Sequence, residues 1–156
     1  MAELEYFVVS ESAVVDQNNN HVSLFCVLDE LSPLELPAIL PRCVAVASWT
    51  MSEAEIGGDF QASLTVEFPG DMPTAEIRAN FTARTIIHRV FQRFAGMPVV
   101  TPGVIRFSLS LNGEHQASHK LVVHAPNKAN IGDGTLLYGD IRFDNEEDFS
   151  PVPEGE

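Results

Sequence analysis

Strict two-residue alternation is the feature that most limits what this chain can become. Between residues 59 and 68, Phe60, Ala62, Leu64, Val66 and Phe68 hold one parity, while Gln61, Ser63, Thr65 and Glu67 hold the other. Successive strand residues point to opposite faces, so this spacing makes a strand with one apolar and one wet face, whereas a helix would mix the two sets. The same period sets Ile77, Phe81 and Ala83 against Arg78, Asn80, Thr82 and Arg84, and sets Ile105, Phe107, Leu109 and Leu111 against Arg106, Ser108 and Ser110. Residues 4–10, 21–29 and 43–50 are rich in Val, Phe and Leu and read as more deeply buried strands.

Turn chemistry separates these runs. Asp16-Gln-Asn-Asn-Asn20 is a polar turn between the first two strands, and Pro69-Gly70-Asp71 with Pro73 turns the chain between the fourth and fifth. Asn112-Gly113 suits the two positive-φ positions of a type I′ hairpin turn, so the strand ending at Leu111 folds straight back toward His124. Pro33, Pro37 and Pro41 mark an extended or irregular connection, because proline cannot donate to a ladder. Residues 85–96 admit two readings. Ile86, Ile87, Val90, Phe91 and Phe94 have helical spacing with Gly96 as a C-terminal cap, while a strand would separate Val90 and Phe94 from Ile87, Arg89, Phe91 and Arg93.

Seven to eight short strands without helical crossovers predict an all-β fold, an antiparallel β-sandwich of immunoglobulin-like, Greek-key topology; a closed barrel is the alternative. The sandwich domain spans residues 1–124. Residues 125–143 read as a glycine-bearing loop with room for one extra edge strand over 135–143. Residues 144–156 carry six acids, no base and two prolines, the composition of a disordered acidic tail.

Three stretches together carry a resemblance: Ser12-Ala-Val-Val-Asp16 leading to His21-Val-Ser-Leu-Phe-Cys-Val-Leu-Asp29, then Leu36-Pro-Ala-Ile-Leu-Pro-Arg-Cys-Val-Ala-Val-Ala-Ser-Trp49, then Pro102-Gly-Val-Ile-Arg-Phe-Ser-Leu-Ser-Leu-Asn-Gly113. They resemble a family of uncharacterised bacterial proteins, compact β-sandwiches with no assigned activity, over about residues 4–124. The resemblance implies a strand rather than a helix within residues 85–96, and it implies no catalytic residue.

Composition narrows the function. The chain has 156 residues, 45% hydrophobic, with a formal net charge of -13. A field of that sign repels phosphate, which argues against nucleic acid and anionic membrane as partners. The apolar runs are far too short to span a bilayer, and Met1-Ala-Glu-Leu-Glu lacks the basic start of a secretory signal, so a cytoplasmic location is expected. In a reducing compartment Cys26 and Cys43 read as small buried thiols rather than a disulfide. Phosphate loops, nucleophile elbows and dinucleotide fingerprints are missing, so no cofactor and no enzymatic activity are expected. His115 and His119 have zinc-ligand spacing for a helix, but on a strand they stand about 13 Å apart. A pocket of His88, His115 and His119 is therefore only the alternative reading, and surface histidines are preferred.

Charge placement says more. Residues 1–71 hold twelve acids and only Arg42; residues 72–113 hold Arg78, Arg84, Arg89, Arg93 and Arg106 against Glu76 alone; residues 114–156 hold nine acids and three bases. All five bases of the middle stretch are Arg, which pairs bidentately with carboxylate. The expected function is a non-enzymatic interaction module that binds a protein or acidic peptide through this arginine-bearing face or a sheet edge. A second copy of the chain is a further candidate partner, because unpaired edges also suit a self-assembling subunit.

Overall fold

A computed structural model of the chain describes residues 1–126 and Gly134. These residues form two sheets. β1 (Glu3–Val15), β2 (Val22–Val27), β4 (Ala38–Thr50) and β7 (Ile87–Val99) make a sheet of order β2-β1-β4-β7. β3 (Glu30–Leu31), β5 (Asp59–Glu67), β6 (Ala75–Thr82), β8 (Gly103–Leu111) and β9 (Glu114–Val123) make the second, of order β3-β9-β8-β5-β6. Every pairing is antiparallel except that of β3 with β9. A short 3-10 turn at Glu53–Glu55 joins β4 to β5, and no α-helix occurs among the described residues.

The all-β sandwich is as the alternation requires, with nine strands among the described residues where seven to eight were expected. The additional pairing is β3, a two-residue bridge too short to show any alternation. Residues 38–42, expected as part of a connection, extend β4 instead. They pair with β7 but lie beyond the end of the β1 pairing, so Pro41 faces one open edge where its missing N–H costs no bond to β1. The Asn112-Gly113 hairpin is as expected, with φ of 49° and 83°.

Residues 87–99 form a strand. Their helical spacing has a physical source: Val90 and Phe94 pack on the inter-sheet core, while Phe91, on the other face, packs with Val44 and Val46. Apolar residues at both parities, packed on two different surfaces, imitate helical spacing. β2 corrects another expectation. It is an exposed edge strand, with Phe25 and Val27 about half exposed, because Val, Phe and Leu composition does not distinguish an edge from a centre.

Between the sheets, Val9, Cys43, Ala45, Leu64, Val66, Ile105, Phe107 and Leu121 form one continuous core, and Ala47, Trp49, Ala62, Leu109 and Leu111 form another toward the opposite end. Each large aliphatic side chain buried here contributes roughly 1.5–3 kcal/mol. The expected loop and extra strand at residues 127–143, apart from Gly134, and the acidic tail at 144–156 lie outside the described residues.

Candidate functional site: the open side between β6 and β7

β6 and β7 are consecutive in the chain but belong to different sheets, and each is an edge. Residues 83–86 carry the chain from one layer to the other. This crossing decides where the arginines go. On β6, Ile77, Ala79 and Phe81 face inward, so Arg78 faces out; on β7, His88, Val90 and Gln92 face inward, so Arg89 and Arg93 face out on the opposite side of the sandwich. Arg106 lies on β8, across from Glu67 of β5 and Lys120 of β9, two strands away from the edge. The five arginines therefore do not share one face. Arg78 and Arg106 stand on one outer surface, Arg89 and Arg93 on the other, and Arg84 on the connection. Arg78, Arg84, Arg89 and Arg93 all come from the two edge strands and the link between them, but none of them lines the apolar space between those strands.

The opening is apolar inside. One small cavity of about 20 Å3 lies between Ile77 and Ala79 of β6 and Val90 and Gln92 of β7, floored by Ala47 and Ala62. Further along the same two strands a larger one of about 210 Å3 is lined by Ala75 of β6, Phe94, Met97 and Pro98 of β7, and Val66 and Phe68. Alanines cause the gap: Ala45, Ala47, Ala62 and Ala79 stop short of the midplane that Leu or Phe would fill. Sequence reasoning passed over them because alanine fits an apolar parity without revealing how much space it leaves. At the other end His88 closes the groove by stacking on Phe81, ring centroids 3.9 Å apart and 7° from parallel, and Phe81 in turn stacks on Phe60 at 5.5 Å. Burial pushes the His88 imidazole pKa below its ordinary value, which keeps the ring neutral.

Charge around the opening is unbalanced. Arg78 pairs with Glu76 on its own strand at 2.9 Å, with both side chains largely exposed. Arg84, Arg89 and Arg93 have no carboxylate within ion-pair distance among the described residues, and the buried Nε of Arg89 has no hydrogen-bond partner. Beside Arg84 the strand ends form an open polar basin. There Thr82 donates to Asp59 at 2.6 Å, Gln61 Nε2 donates to Asn80 at 3.0 Å, and the Gln61 N–H donates to Asn112 Oδ1 at 2.9 Å.

The histidines occupy separate places. A register shift in β9 sets His115 opposite Ser110, on the outward parity of β8, and His119 opposite Phe107, on the inward one. His119 Nδ1 accepts the N–H of Val9 at 3.4 Å and Nε2 donates to the carbonyl of Leu28 at 2.8 Å, so the ring ties the two layers together. His88 lies against Phe81 on the β6–β7 side, whereas β1 and β9 lie toward the opposite side. Among the described residues no group of three His, Cys, Asp or Glu side chains could hold a metal ion. Cys26 and Cys43 are both free thiols; Cys43 is buried as expected, but Cys26 is exposed on the edge strand. No helix among the described residues is long and apolar enough to cross a membrane.

Together these observations define a two-sheet, all-β sandwich domain. The chain belongs to a family of unknown function (DUF6941), whose family model matches residues 5–124, nearly the whole of both sheets. No curated protein matches the chain.

Proposed function

We propose that this domain is a non-enzymatic interaction module that binds an acidic segment of another protein along its β6–β7 side. The observation that carries the reading is the set of three guanidinium groups, Arg84, Arg89 and Arg93, on the elements bordering an apolar opening, none paired with a carboxylate among the described residues. Guanidinium forks favour bidentate carboxylate partners, and an apolar neighbourhood raises the worth of such pairs above that of fully hydrated ones. A protein of net charge -13 repels polyanions at long range, so a partner of this kind is held by short acidic stretches at close contact rather than by steering.

We further infer that the sandwich is immunoglobulin-like. Support comes from the pairings β1–β4–β7 and β9–β8–β5–β6, which take the places of strands A-B-E and G-F-C-C′, with β2 and β3 inserted between A and B. We also propose a cytoplasmic location, with which an exposed Cys26 thiol and a buried Cys43 thiol are compatible.

The test is selection of a displayed library of random twelve-residue peptides against the full chain. Enriched peptides rich in Asp and Glu, losing at least tenfold in affinity on Arg89→Glu/Arg93→Glu, would support the reading; binders indifferent to that reversal would overturn it. Self-assembly is a second reading, favoured by the exposed edge strand β2 with Phe25 and Val27. Light scattering that shows a monomer at all concentrations and salt conditions would remove it.

A further inference from the structure

The immunoglobulin-like reading places β7 where strand E stands, and in constant-type immunoglobulin sheets E is flanked by strand D. Here the chain passes from β6 to β7 through residues 83–86 alone, and no described strand occupies the place beside β7. Three features converge on that edge of β7. The outer edge of β7 carries backbone N–H and C=O groups over a thirteen-residue strand with no described strand beside it, and the edge of β6 faces it from the other layer. Between the two edges, a water-sized gap of about 20 Å3 at Ile77–Val90 and a larger cavity of about 210 Å3 at Ala75–Phe94 lie along the same two strands. Arg89 and Arg93 stand at i and i+4 on the outward parity of β7, with Arg78 on β6 facing the opposite outer surface.

We propose that the partner binds by strand addition, pairing its backbone with the edge of β7 that no described strand covers, inserting an apolar side chain into the cavity at Ala75–Phe94, and setting acidic side chains of the other parity against Arg89 and Arg93. This inference rests on the arginine-side reading above and specifies its occupant: an extended segment of another protein, about six to nine residues long, with Val, Ile or Leu at every second position and Asp or Glu between them. Period-two alternation is what an added strand presents, since its side chains point alternately inward and outward. The cavity at Ala75–Phe94, about 210 Å3, has room for an apolar side chain, whereas the gap at Ile77–Val90, about 20 Å3, holds no more than a water-sized group. Arg89 and Arg93 supply the charge complement on the outward parity. A basic or glycine-rich segment would satisfy neither the rim nor the groove.

The selected peptides provide the test. Enriched sequences should alternate apolar and acidic residues, and on binding they should slow amide hydrogen exchange along Ile87–Val99 at least tenfold without changing β2. Ala75→Leu, which fills the cavity at Ala75–Phe94 from an edge strand, should weaken them at least tenfold; Ala95→Leu serves as the second filling variant if the first does not fold. Acidic peptides that are lost on Arg89→Glu/Arg93→Glu, yet survive both filling variants and leave β7 exchange unchanged, would overturn strand addition while leaving the arginine reading intact. Peptides indifferent to the arginine reversal, or no enrichment at all, would overturn both. Protection of β7 already present in the free monomer would assign the edge to this chain's own segment, and protection that grows with protein concentration would assign it to a second copy; either overturns the proposal.

Discussion

The rings of His88 and Phe81 lie face to face across the two layers, centroids 3.9 Å apart and 7° from parallel. This contact ties β7 to β6 at the end where residues 83–86 cross from one sheet to the other. Beyond it, Ile77, Ala79, Val90 and Gln92 border a small gap between the two edge strands. A neutral imidazole suits the stack, and burial holds the His88 pKa below its ordinary 6.5. The unfolded chain therefore takes up the proton first as pH falls. The stability this ring supplies is present above about pH 6.5 and is lost as pH falls through the lower folded value. His88→Phe keeps an aromatic surface without a titrating group, so the difference in urea midpoint between wild type and variant should shift in favour of the variant between pH 8 and pH 5. A difference that stays constant across that range would remove His88 from the pH response.

Much of this architecture is legible in the chain. β5, β6 and β8 each have one dry and one wet parity, and Asn112-Gly113 locates the β8–β9 hairpin because few other pairs accept two positive φ angles. Relations between strands are not legible in the same way. Arg78 and Arg89 are eleven positions apart and read as neighbours on one basic stretch, yet the crossing at residues 83–86 puts them in different layers. His115 and His119 share parity in the sequence, and the register shift between Leu109 and Ser110 separates their faces. Edge and centre are equally hidden: Phe25 and Phe107 are both strand phenylalanines, one half exposed and one fully buried, and only the order of the sheets distinguishes them. The groove was invisible for a simpler reason, since it consists of volume that Ala45, Ala47, Ala62 and Ala79 do not fill.

His119 differs from the other histidines in what it satisfies. Its ring uses both nitrogens on backbone groups, the N–H of Val9 in the opposite sheet and the carbonyl of Leu28 in the β2–β3 connection. His119→Leu restores the volume but strands both, at a cost of about 1–3 kcal/mol for a buried group left unpaired. The expected readout is a lower urea midpoint at an unchanged m-value. His115→Ala, at an exposed position, should stay within about 0.5 kcal/mol of wild type. Equal effects of the two substitutions would contradict the register assigned to β9.

The two thiols should report burial chemically. Desolvation raises the Cys43 pKa to about 11, so at pH 8 its thiolate is scarce as well as buried. Cys26 is exposed. Iodoacetamide at pH 8 should label the native protein once, at Cys26, and the urea-unfolded protein twice, as mass spectrometry of the intact chain and its peptides would show. Rapid native labelling at Cys43 would mean that the β4 core opens far more readily than its packing implies.

Gly103 offers the sharpest test of how the loops meet at the wide end of the groove. Its φ is 142°, and a Cβ there would stand 2.8 Å from Cβ of Pro69, in the turn that follows β5. Gly103→Ala therefore combines a backbone conformation that side chains disfavour with a collision that neither rigid partner can relieve, and about 1–3 kcal/mol or more is expected. Gly113 also has positive φ, at 83°, but open space where its Cβ would go, so Gly113→Ala carries the backbone term alone, about 1–2 kcal/mol. For a chain of this size each kcal/mol moves the melting temperature by roughly 2–4 °C, so the two variants are separable by calorimetry. Pro69→Gly removes the opposing atoms. In a double-mutant cycle it should recover part of the Gly103→Ala loss and none of the Gly113→Ala loss, because only the first pair touches. Additivity in both cycles would show that the β5–β6 turn and the start of β8 do not meet as described.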